Sequence, residues 1–306
     1  MTFRRGATLP VDVTLGYAES CDLGPTAGNG FYKRWPDDLA LLSDLGVADL
    51  RLTFDWARVQ PKPGEISGAW IERYANILDA AEAIGISVWA TMYDGGLPRW
   101  FVNEGGFDDA AAVARWWPRW VERIAEAFGE RVHGWIPFSV IPVDLPDQAW
   151  VDTWDILRGD RPVIASLRYV DGFGFGTRHA ERLDRVGVSL DELLDEEGEL
   201  TDEVLDDSGE RWSRALHEAA DAVPGRPLVI SRFTPHHVDP EAASRIVTRL
   251  VDVIDTAIAD GLTIETCLVE PAIAGHDSPL ALVNSDREPQ PAADAFLIAP
   301  HDDDAD

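Results

Sequence analysis

The sequence predicts an α/β protein with a parallel sheet, either a closed barrel or a doubly wound open sheet. Strand and helix patterns alternate along the chain at about 35–45 residues per unit, which is typical of repeated strand–helix units. The segment 86–92 is almost entirely apolar, as expected of a strand whose sheet is covered on both faces. With 306 residues, 45% of them apolar, the chain is long enough for one large domain or two small ones.

The first half of the chain shows this alternation most clearly. We predict strands at 3–13, 47–54, 86–92 and 132–138, and helices at 35–45, 70–83 and 108–128. The first helix has Pro36 in its opening turn and Asp37 and Asp38 near its positive end, and Gly46 follows it. These residues predict both ends of that helix.

The second half is less regular. We predict a helix over 148–169 despite Gly159 and Pro162, a strand or loop in the Gly-rich segment 171–176, and an exposed helix or lid in the acidic run 190–207. Clearer patterns then predict a helix at 211–222, a strand from Leu228, a helix at 240–259 and a last strand at 262–269.

The net charge of −29 disfavours nucleic acid and anionic membranes as partners. So acidic a surface suggests a solubility strategy, as in a salty cytoplasm where charge is screened. Lys33 and Lys62 are the only lysines, and this bias toward Arg could equally reflect genomic base composition. The N-terminal segment is too short and too polar for a signal peptide, and no run of about 18 apolar residues occurs. We therefore expect a cytoplasmic protein, and the oligomeric state is left open.

Motifs for nucleotide or metal chemistry are absent from the sequence. It contains no P-loop, dinucleotide-binding fingerprint, serine-nucleophile elbow or H-E-x-x-H motif. Cys21 and Cys267 form neither a disulfide framework nor a metal-binding spacing. We therefore expect no cofactor and no metal.

Long motifs occur in the first 138 residues. Residues 37–61 are similar to the pattern E-D-I-x-L-M-x-x-L-G-V-x-x-Y-R-F-S-I-S-W-S-R-I-x-P, residues 91–98 to T-L-Y-H-W-D-L-P, and residues 128–132 to F-G-D-R-V. Together they resemble glycoside hydrolase family 1, the retaining β-glucosidases. The resemblance is strong over 3–138, weaker over 210–296 and poor over 139–209.

This resemblance implies a (β/α)8 TIM barrel that binds a sugar or glycoside. We expect a single barrel domain over residues 1–300, followed by an acidic disordered tail at 301–306. Because the resemblance is poor in the middle third, one barrel unit there could be shortened or missing.

Both catalytic motifs implied by the resemblance are changed in this chain. A retaining glycosidase needs two carboxylates about 5–5.5 Å apart, one as acid/base and one as nucleophile. At the family's T-F-N-E-P motif, Ser139 replaces Asn and Val140 replaces the acid/base Glu; at I-T-E-N-G, Arg232 replaces the nucleophile Glu. Valine has no proton to donate and a guanidinium stays protonated, so we expect the ancestral mechanism to be lost.

Other site positions implied by the resemblance also depart from the family pattern. Asp12 stands at the position of a sugar-binding Gln, Asp94 at that of a His, and Glu270 at that of a Trp. We regard Asp94 and Glu270 as candidate relocated catalytic carboxylates. Since strand ends of such barrels surround the active site, we expect the three acidic side chains to share one pocket with Asp55 and Arg232.

Further substrate-binding candidates come from retained residues and from aromatic chemistry. Arg51, which in the family supports the nucleophile, is retained together with Trp56 and Tyr93. Trp100, after the third strand, is a candidate for stacking on a sugar ring. Asp144 is a further carboxylate that could reach the site from the loop after strand four.

Three interpretations of Arg232 remain open. It could form a compensating ion pair with Glu270 on the neighbouring strand, since a buried charge needs a partner. It could join Arg51 in clamping an anionic group such as a uronate or phosphate. Alternatively, neither arginine faces the pocket.

Three functions follow from these alternatives. The protein could bind a sugar or glycoside without the ancestral chemistry. It could be an active glycosidase or other sugar-acting enzyme with relocated carboxylates. It could instead be a structural or interaction barrel with a filled pocket.

Overall fold

The structure is a computed structural model, and it describes residues 2–15, 28–139, 145–168, 184–191, 200–234, 239–275 and 281–297. These described residues contain eight strands, most of which are followed by one or more helices. The strands are β1 (Arg4–Leu9), β2 (Asp49–Thr53), β3 (Ser87–Thr91), β4 (Gly134–Trp135), β5 (Ile164–Arg168), β6 (Arg185–Asp191), β7 (Leu228–Thr234) and β8 (Ile264–Val269). The helices are α1 (Val11–Leu15), α2 (Phe31–Asp44), α3 (Trp56–Val59), α4 (Gly68–Ala83), α5 (Arg99–Asn103), α6 (Ala110–Phe128), α7 (Asp147–Leu157), α8 (Asp202–Ala222), α9 (Pro240–Ala259) and α10 (Pro291–Leu297).

The strands form a parallel sheet that curves into a barrel. Their order is β4-β3-β2-β1-β8-β7-β6-β5, and the neighbouring strands pair in parallel. Between β4 and β5, Trp135 forms a parallel bridge with Val163, and its backbone N–H donates to the Pro162 carbonyl at 2.8 Å. The predicted (β/α)8 TIM barrel is therefore confirmed, and the doubly wound alternative is excluded.

Two predictions for the middle third are wrong. The predicted helix over 148–169 ends at Leu157 and is followed by β5, because Gly159 and Pro162 interrupt the helical pattern. The acidic run 190–207 is not one helix, since its first two residues belong to β6 and α8 begins at Asp202. The described residues supply all eight strands of the barrel sheet, so no barrel strand is missing.

The sequence did not predict β6, because the two faces of this strand differ in polarity. Val186, Val188 and Leu190 are buried in the outer core, between the barrel and its helices. Gly187 and Ser189 alternate with them and belong to the opposite, inner face. A strand with small or polar inner residues lacks the continuous apolar run expected of a buried parallel strand.

Several predicted features lie outside the described residues: Cys21, Val140, Asp144, the segment 171–176 and the tail 301–306. Within the part of the chain that the structure covers, no helix is long and apolar enough to cross a membrane.

A small apolar cluster fills the inside of the barrel. It consists of Trp89, Ile136, Ile164, Val229 and Leu268, all 0% exposed, and it is separate from the larger core around the barrel.

Glycines on the strands make room for this inner cluster. A Cβ atom added to Gly134 would lie 2.7 Å from Cε3 of Trp89, and one added to Gly6 would lie 2.6 Å from Cδ2 of Leu268. Real Cβ atoms do not approach so closely, so the large inner side chains require glycine on the neighbouring strands.

Ion pairs close the amino-terminal end of the barrel beneath this cluster. Nε of Arg4 lies 2.9 Å from Oδ2 of Asp49, and Nε of Arg185 lies 2.5 Å from Oε2 of Glu265. Burial alone would raise the pKa of Glu265, but hydrogen bonds and charges from His133 and Arg185 outweigh it and lower the pKa. Glu265 is therefore a carboxylate held ionised by its partners.

A buried ion pair fastens the segment after β8 to α2. Arg287 donates to both carboxylate oxygens of Asp38, at 2.9 and 2.8 Å, and also to the Asn29 carbonyl at 2.8 Å. The two side chains are 8% and 0% exposed. Arg287 has a φ of 72°, a value that residues with a side chain rarely adopt.

We expect Gly134→Ala to destabilise the protein by about 1–3 kcal/mol, because the added methyl group would overpack the barrel interior against Trp89. Urea unfolding measures this change. Gly68→Ala is the matched control, since nothing lies within 4 Å of its added Cβ and the residue begins α4. A loss no larger for Gly134→Ala than for the control would contradict this account of the interior.

We expect Asp38→Ala to reduce the free energy of unfolding by about 3–5 kcal/mol, because Arg287 would remain buried without its counterion. Arg245→Ala, which removes the exposed Arg245–Asp202 pair, should cost less than about 1 kcal/mol. Chemical denaturation of both variants tests the contrast. Similar losses would show that burial does not set the strength of the Asp38–Arg287 contact.

Candidate functional site

Charged side chains gather at the carboxyl end of the barrel, which we call the mouth and define by Asp12, Asp94, Arg232 and Glu270. Asp12 lies on α1 after β1, Asp94 follows β3, Arg232 is near the end of β7, and Glu270 directly follows β8. Parallel strands bring these sequence-distant residues to one end of the sheet. Fully buried Arg51, on β2, reaches the same group from below.

Glu270 lies between two guanidinium groups. Its Oε2 is 2.5 Å from Nη2 of Arg51, and its Oε1 is 3.3 Å from Nη2 of Arg232. Nη1 of Arg51 donates to the backbone carbonyl of Ser231 at 2.9 Å. These contacts tie β2, β7 and the end of β8 together, so the predicted ion pair between Arg232 and Glu270 is present in the structure.

The exposure of these three side chains decreases from the mouth inward. The side chain of Arg232 is 24% exposed, that of Glu270 8% and that of Arg51 0%. Burial raises the pKa of Glu270, the charges of Arg51 and Arg232 oppose that effect, and those of Asp94 and Asp12 add to it. The site is thus one electrostatic unit rather than a set of separate pairs.

Asp94 and Asp12 form the acidic side of the mouth. Oδ2 of Asp94 accepts weak hydrogen bonds from the Val11 N–H and the Thr53 hydroxyl, both at 3.3 Å. Asp12 is exposed as a whole residue, but its carboxyl group is partly enclosed. That burial raises the pKa of Asp12, the charge of Asp94 raises it further, and Arg232 lowers it. Asp12 therefore lies within electrostatic range of both.

Tyr93 borders the acidic side of the mouth. Its ring is half-buried and packs edge-on against Phe107 and Phe138, with centroids 4.9 and 6.3 Å away. Burial raises the pKa of Tyr93, and the charge of Asp94 adds to this. Its hydroxyl is therefore a neutral hydrogen-bonding group at physiological pH.

Trp56 does not reach the mouth. It is 1% exposed and stacks on Trp120 with ring centroids 5.5 Å apart. Its indole N–H donates to the Gln60 side chain at 2.9 Å. Trp56 is covered by these neighbours, so we leave it out of the proposed site although the family resemblance suggested it.

Trp100 keeps part of its surface exposed. It lies on α5, beyond the end of β3, and its indole N–H donates to the Gln60 carbonyl at 3.0 Å. Trp116 meets it edge-on with ring centroids 4.9 Å apart. Trp100 therefore remains a candidate for stacking on a sugar at the rim of the mouth.

Asp55 has a local structural role. Its carboxylate caps α3 by accepting the Ala57 N–H at 2.9 Å, and it lies 3.7 Å from Nε of Arg58. These contacts place the Asp55 carboxylate at the start of α3.

Two contacting residues were missed by sequence reasoning. Ser231 takes part through its backbone carbonyl, which no side-chain pattern reveals, and its hydroxyl lies 2.7 Å from that of Ser166. Thr53, which donates to Asp94, could have been found, because it alternates with Arg51 on the inner face of β2.

The site shows no arrangement for metal binding. No group of three or more His, Cys, Asp or Glu side chains suited to a metal ion occurs in the described ranges.

We expect Arg51→Met to destabilise the protein by at least about 3 kcal/mol at pH 8, because it leaves Glu270 buried with a weaker counterion. The pKa of Glu270 should then rise further, so the folded variant binds more protons than the folded wild type. The loss of stability relative to the wild type should therefore be smaller at pH 5 than at pH 8. Chemical denaturation at both pH values measures it.

The double variant Arg51→Met/Glu270→Gln serves as the control for charge. It should recover stability at pH 8 relative to Arg51→Met, because a neutral amide needs no counterion. A deficit unchanged by pH and by Glu270→Gln would show that Arg51 acts through packing alone.

Comparisons with known proteins agree with this fold and these motifs. Residues 22–145 match the model of glycosyl hydrolase family 1. β-Glucosidase A of Thermotoga maritima is 30% identical over 127 residues, a match covering 41% of this chain and 28% of that protein. β-Glucosidase 34 of Oryza sativa subsp. japonica is 31% identical over 110 residues, covering 35% and 21%. The chain thus spans about a quarter of the length of these curated relatives.

Solved structures extend the likeness in fold. The family 1 β-glucosidase from Thermotoga maritima superposes with a TM-score of 0.72 at 14% identity, over 97% of this chain and 96% of that one. The same organism's β-glucosidase in complex with glucoimidazole gives 0.69 at 13% identity, over 94% of each chain. The chain is therefore similar to glycosyl hydrolase family 1 over residues 22–145, and it shares the barrel fold of the β-glucosidases with solved structures.

Proposed function

We propose that the protein binds a sugar or glycoside at the mouth of the barrel without the double displacement of retaining glycosidases. The observation that carries this proposal is the contact between Arg232 and Glu270. Arg232 lies near the end of β7, at the position where the family resemblance implies a nucleophilic glutamate.

The chemistry of Arg232 argues against the ancestral reaction. Retention needs a carboxylate that attacks the sugar carbon, with a second carboxyl group about 5–5.5 Å away. A guanidinium remains protonated at any physiological pH and cannot attack. Val140, at the other glutamate position, lies outside the described residues, but its side chain carries no titratable group.

Recognition of a sugar is supported by the polar groups around the mouth. The carboxylates of Asp12 and Asp94 can accept hydrogen bonds from sugar hydroxyls, and the Tyr93 hydroxyl can donate or accept. Trp100 supplies a partly exposed aromatic surface at the rim. The β-glucosidase relatives make a glycoside the natural ligand class to test.

An active enzyme with relocated carboxylates is the second candidate. It is favoured by the charge coupling of Glu270 to Asp94 and Asp12, together with the effect of burial on the pKa of Glu270. Shifted carboxyl groups in a cleft are typical of acid–base catalysts. Against it, Glu270 is engaged by two arginines, which limits its freedom to attack or to donate a proton.

We expect the purified protein to bind at least one simple sugar or glycoside and to leave nitrophenyl β-glycosides uncleaved. Saturating ligand should raise the melting temperature by several degrees, because it binds only the folded state. Asp94→Ala should abolish that shift, whereas Glu122→Gln, on the exposed face of α6, should preserve it. Thermal shift and release of nitrophenol measure the two properties.

The alternatives predict other results. Turnover that Glu270→Gln or Asp94→Asn abolishes would establish relocated catalysis. Absence of both turnover and any sugar-induced shift would favour a structural or interaction barrel.

A further inference from the structure

We infer that the mouth prefers a sugar or glycoside bearing a protonated amine, held against the carboxylates of Asp12 and Asp94. This inference rests on the sugar binding proposed above and specifies the ligand class. It is opposite to the anion clamp by Arg51 and Arg232 that the sequence left open.

The charges of the mouth are divided between two sides. On the β7–β8 side, the carboxylate of Glu270 contacts both guanidinium groups. On the β1–β3 side, the charge of Asp94 raises the pKa of Asp12 and the charge of Arg232 lowers it. Neither aspartate forms an ion pair with an arginine among the described residues. A ligand entering the mouth therefore meets two carboxylates whose charges add, and one guanidinium already engaged by Glu270.

An anion clamp does not fit this arrangement. Arg51 is 0% exposed, and its two terminal nitrogens donate to Glu270 and to the Ser231 carbonyl. Arg232 is the more exposed arginine, but an incoming anion would lie near the charges of Glu270, Asp94 and Asp12. Like charges at short range destabilise such a complex.

The acidic side has acceptor capacity that the described residues do not use. Oδ2 of Asp94 accepts only long hydrogen bonds from Val11 and Thr53, and Oδ1 has no partner within the described ranges. Asp12 uses Oδ1 for the Val13 N–H at 2.9 Å, and its Oδ2 accepts no bond from the described part of the chain. An ammonium group, with three donors and no acceptor, complements two such carboxylates.

A buried hydroxyl on the inner face provides independent support. Thr91 is 0% exposed, and its Oγ1 has no hydrogen-bond partner among the described residues. It alternates with Trp89 of the inner cluster, so its side chain points into the barrel, and it pairs in register with Thr53. An unpaired hydroxyl in register with Thr53, whose own hydroxyl donates to Asp94, indicates a site adapted to a polar group entering from the mouth.

The experiment compares glucosamine, glucose and glucuronate at neutral pH by isothermal titration calorimetry. We expect glucosamine to bind about tenfold more tightly than glucose, because its ammonium meets two carboxylates, and glucuronate to bind more weakly than glucose. Asp12→Asn and Asp94→Asn keep the hydrogen-bonding shape but remove one charge each, and each should reduce the preference to within about threefold. Glu122→Gln removes a distant charge and should leave the preference intact.

The outcomes separate this inference from the sugar binding on which it rests. Equal affinity for glucose and glucosamine, or a preference that survives both Asp→Asn substitutions, overturns the inference and leaves sugar binding standing. Tighter binding of glucuronate overturns it in favour of the anion clamp. Binding of none of the three sugars, with thermal unfolding confirming a folded protein, overturns both.

Discussion

The carboxylate of Glu270 contacts the guanidinium groups of Arg51 and Arg232, and the rest of the mouth is arranged around these contacts. They connect β2, β7 and the end of β8 across the barrel interior. A fully buried arginine is stable only with a counterion and hydrogen bonds, and Arg51 obtains them from Glu270 and the Ser231 carbonyl. The family resemblance implies that a carboxylate on β7 would meet this arginine; here the carboxylate comes from Glu270, the residue after β8. The need of Arg51 for a partner is thus met although the nucleophile position holds Arg232.

Below the mouth, the barrel interior is packed by large side chains that fit only because glycines face them on neighbouring strands. Trp89 and Leu268 fill an interior in which Gly134 and Gly6 supply the missing space. Charged residues lie on either side of this apolar cluster, and Arg51 reaches the mouth from within the barrel. At the amino-terminal end they form ion pairs, as Glu265 does with Arg185. At the mouth the charges of Asp12 and Asp94 remain partly uncompensated, which fits the polar ligand proposed for that end.

The division of charge within the mouth sets the chemistry that can occur there. Glu270 neutralises much of the positive field on the β7–β8 side, while Asp12 and Asp94 reinforce each other on the β1–β3 side. The same arrangement weakens the case for both an anionic ligand and a freely reacting Glu270. It favours a donor-rich ligand, and the half-buried Tyr93 adds a neutral hydroxyl at the edge of the same surface.

The sequence by itself determined the fold class and the candidate positions at the strand ends. Alternating patterns in the first half predicted β1 to β4, and the family-like motifs predicted the barrel together with Arg51, Asp94, Arg232 and Glu270. It failed at β5, which was read as the end of a helix, and at β6, where Gly187 and Ser189 break the apolar run expected of a buried strand. Only the tertiary structure decided which charges meet. Partners such as Arg51 and Glu270 lie on distant segments, and burial of Trp56 against Trp120 depends on how helices pack. Local patterns report which face of an element is buried, whereas contacts between elements follow from the closure of the sheet.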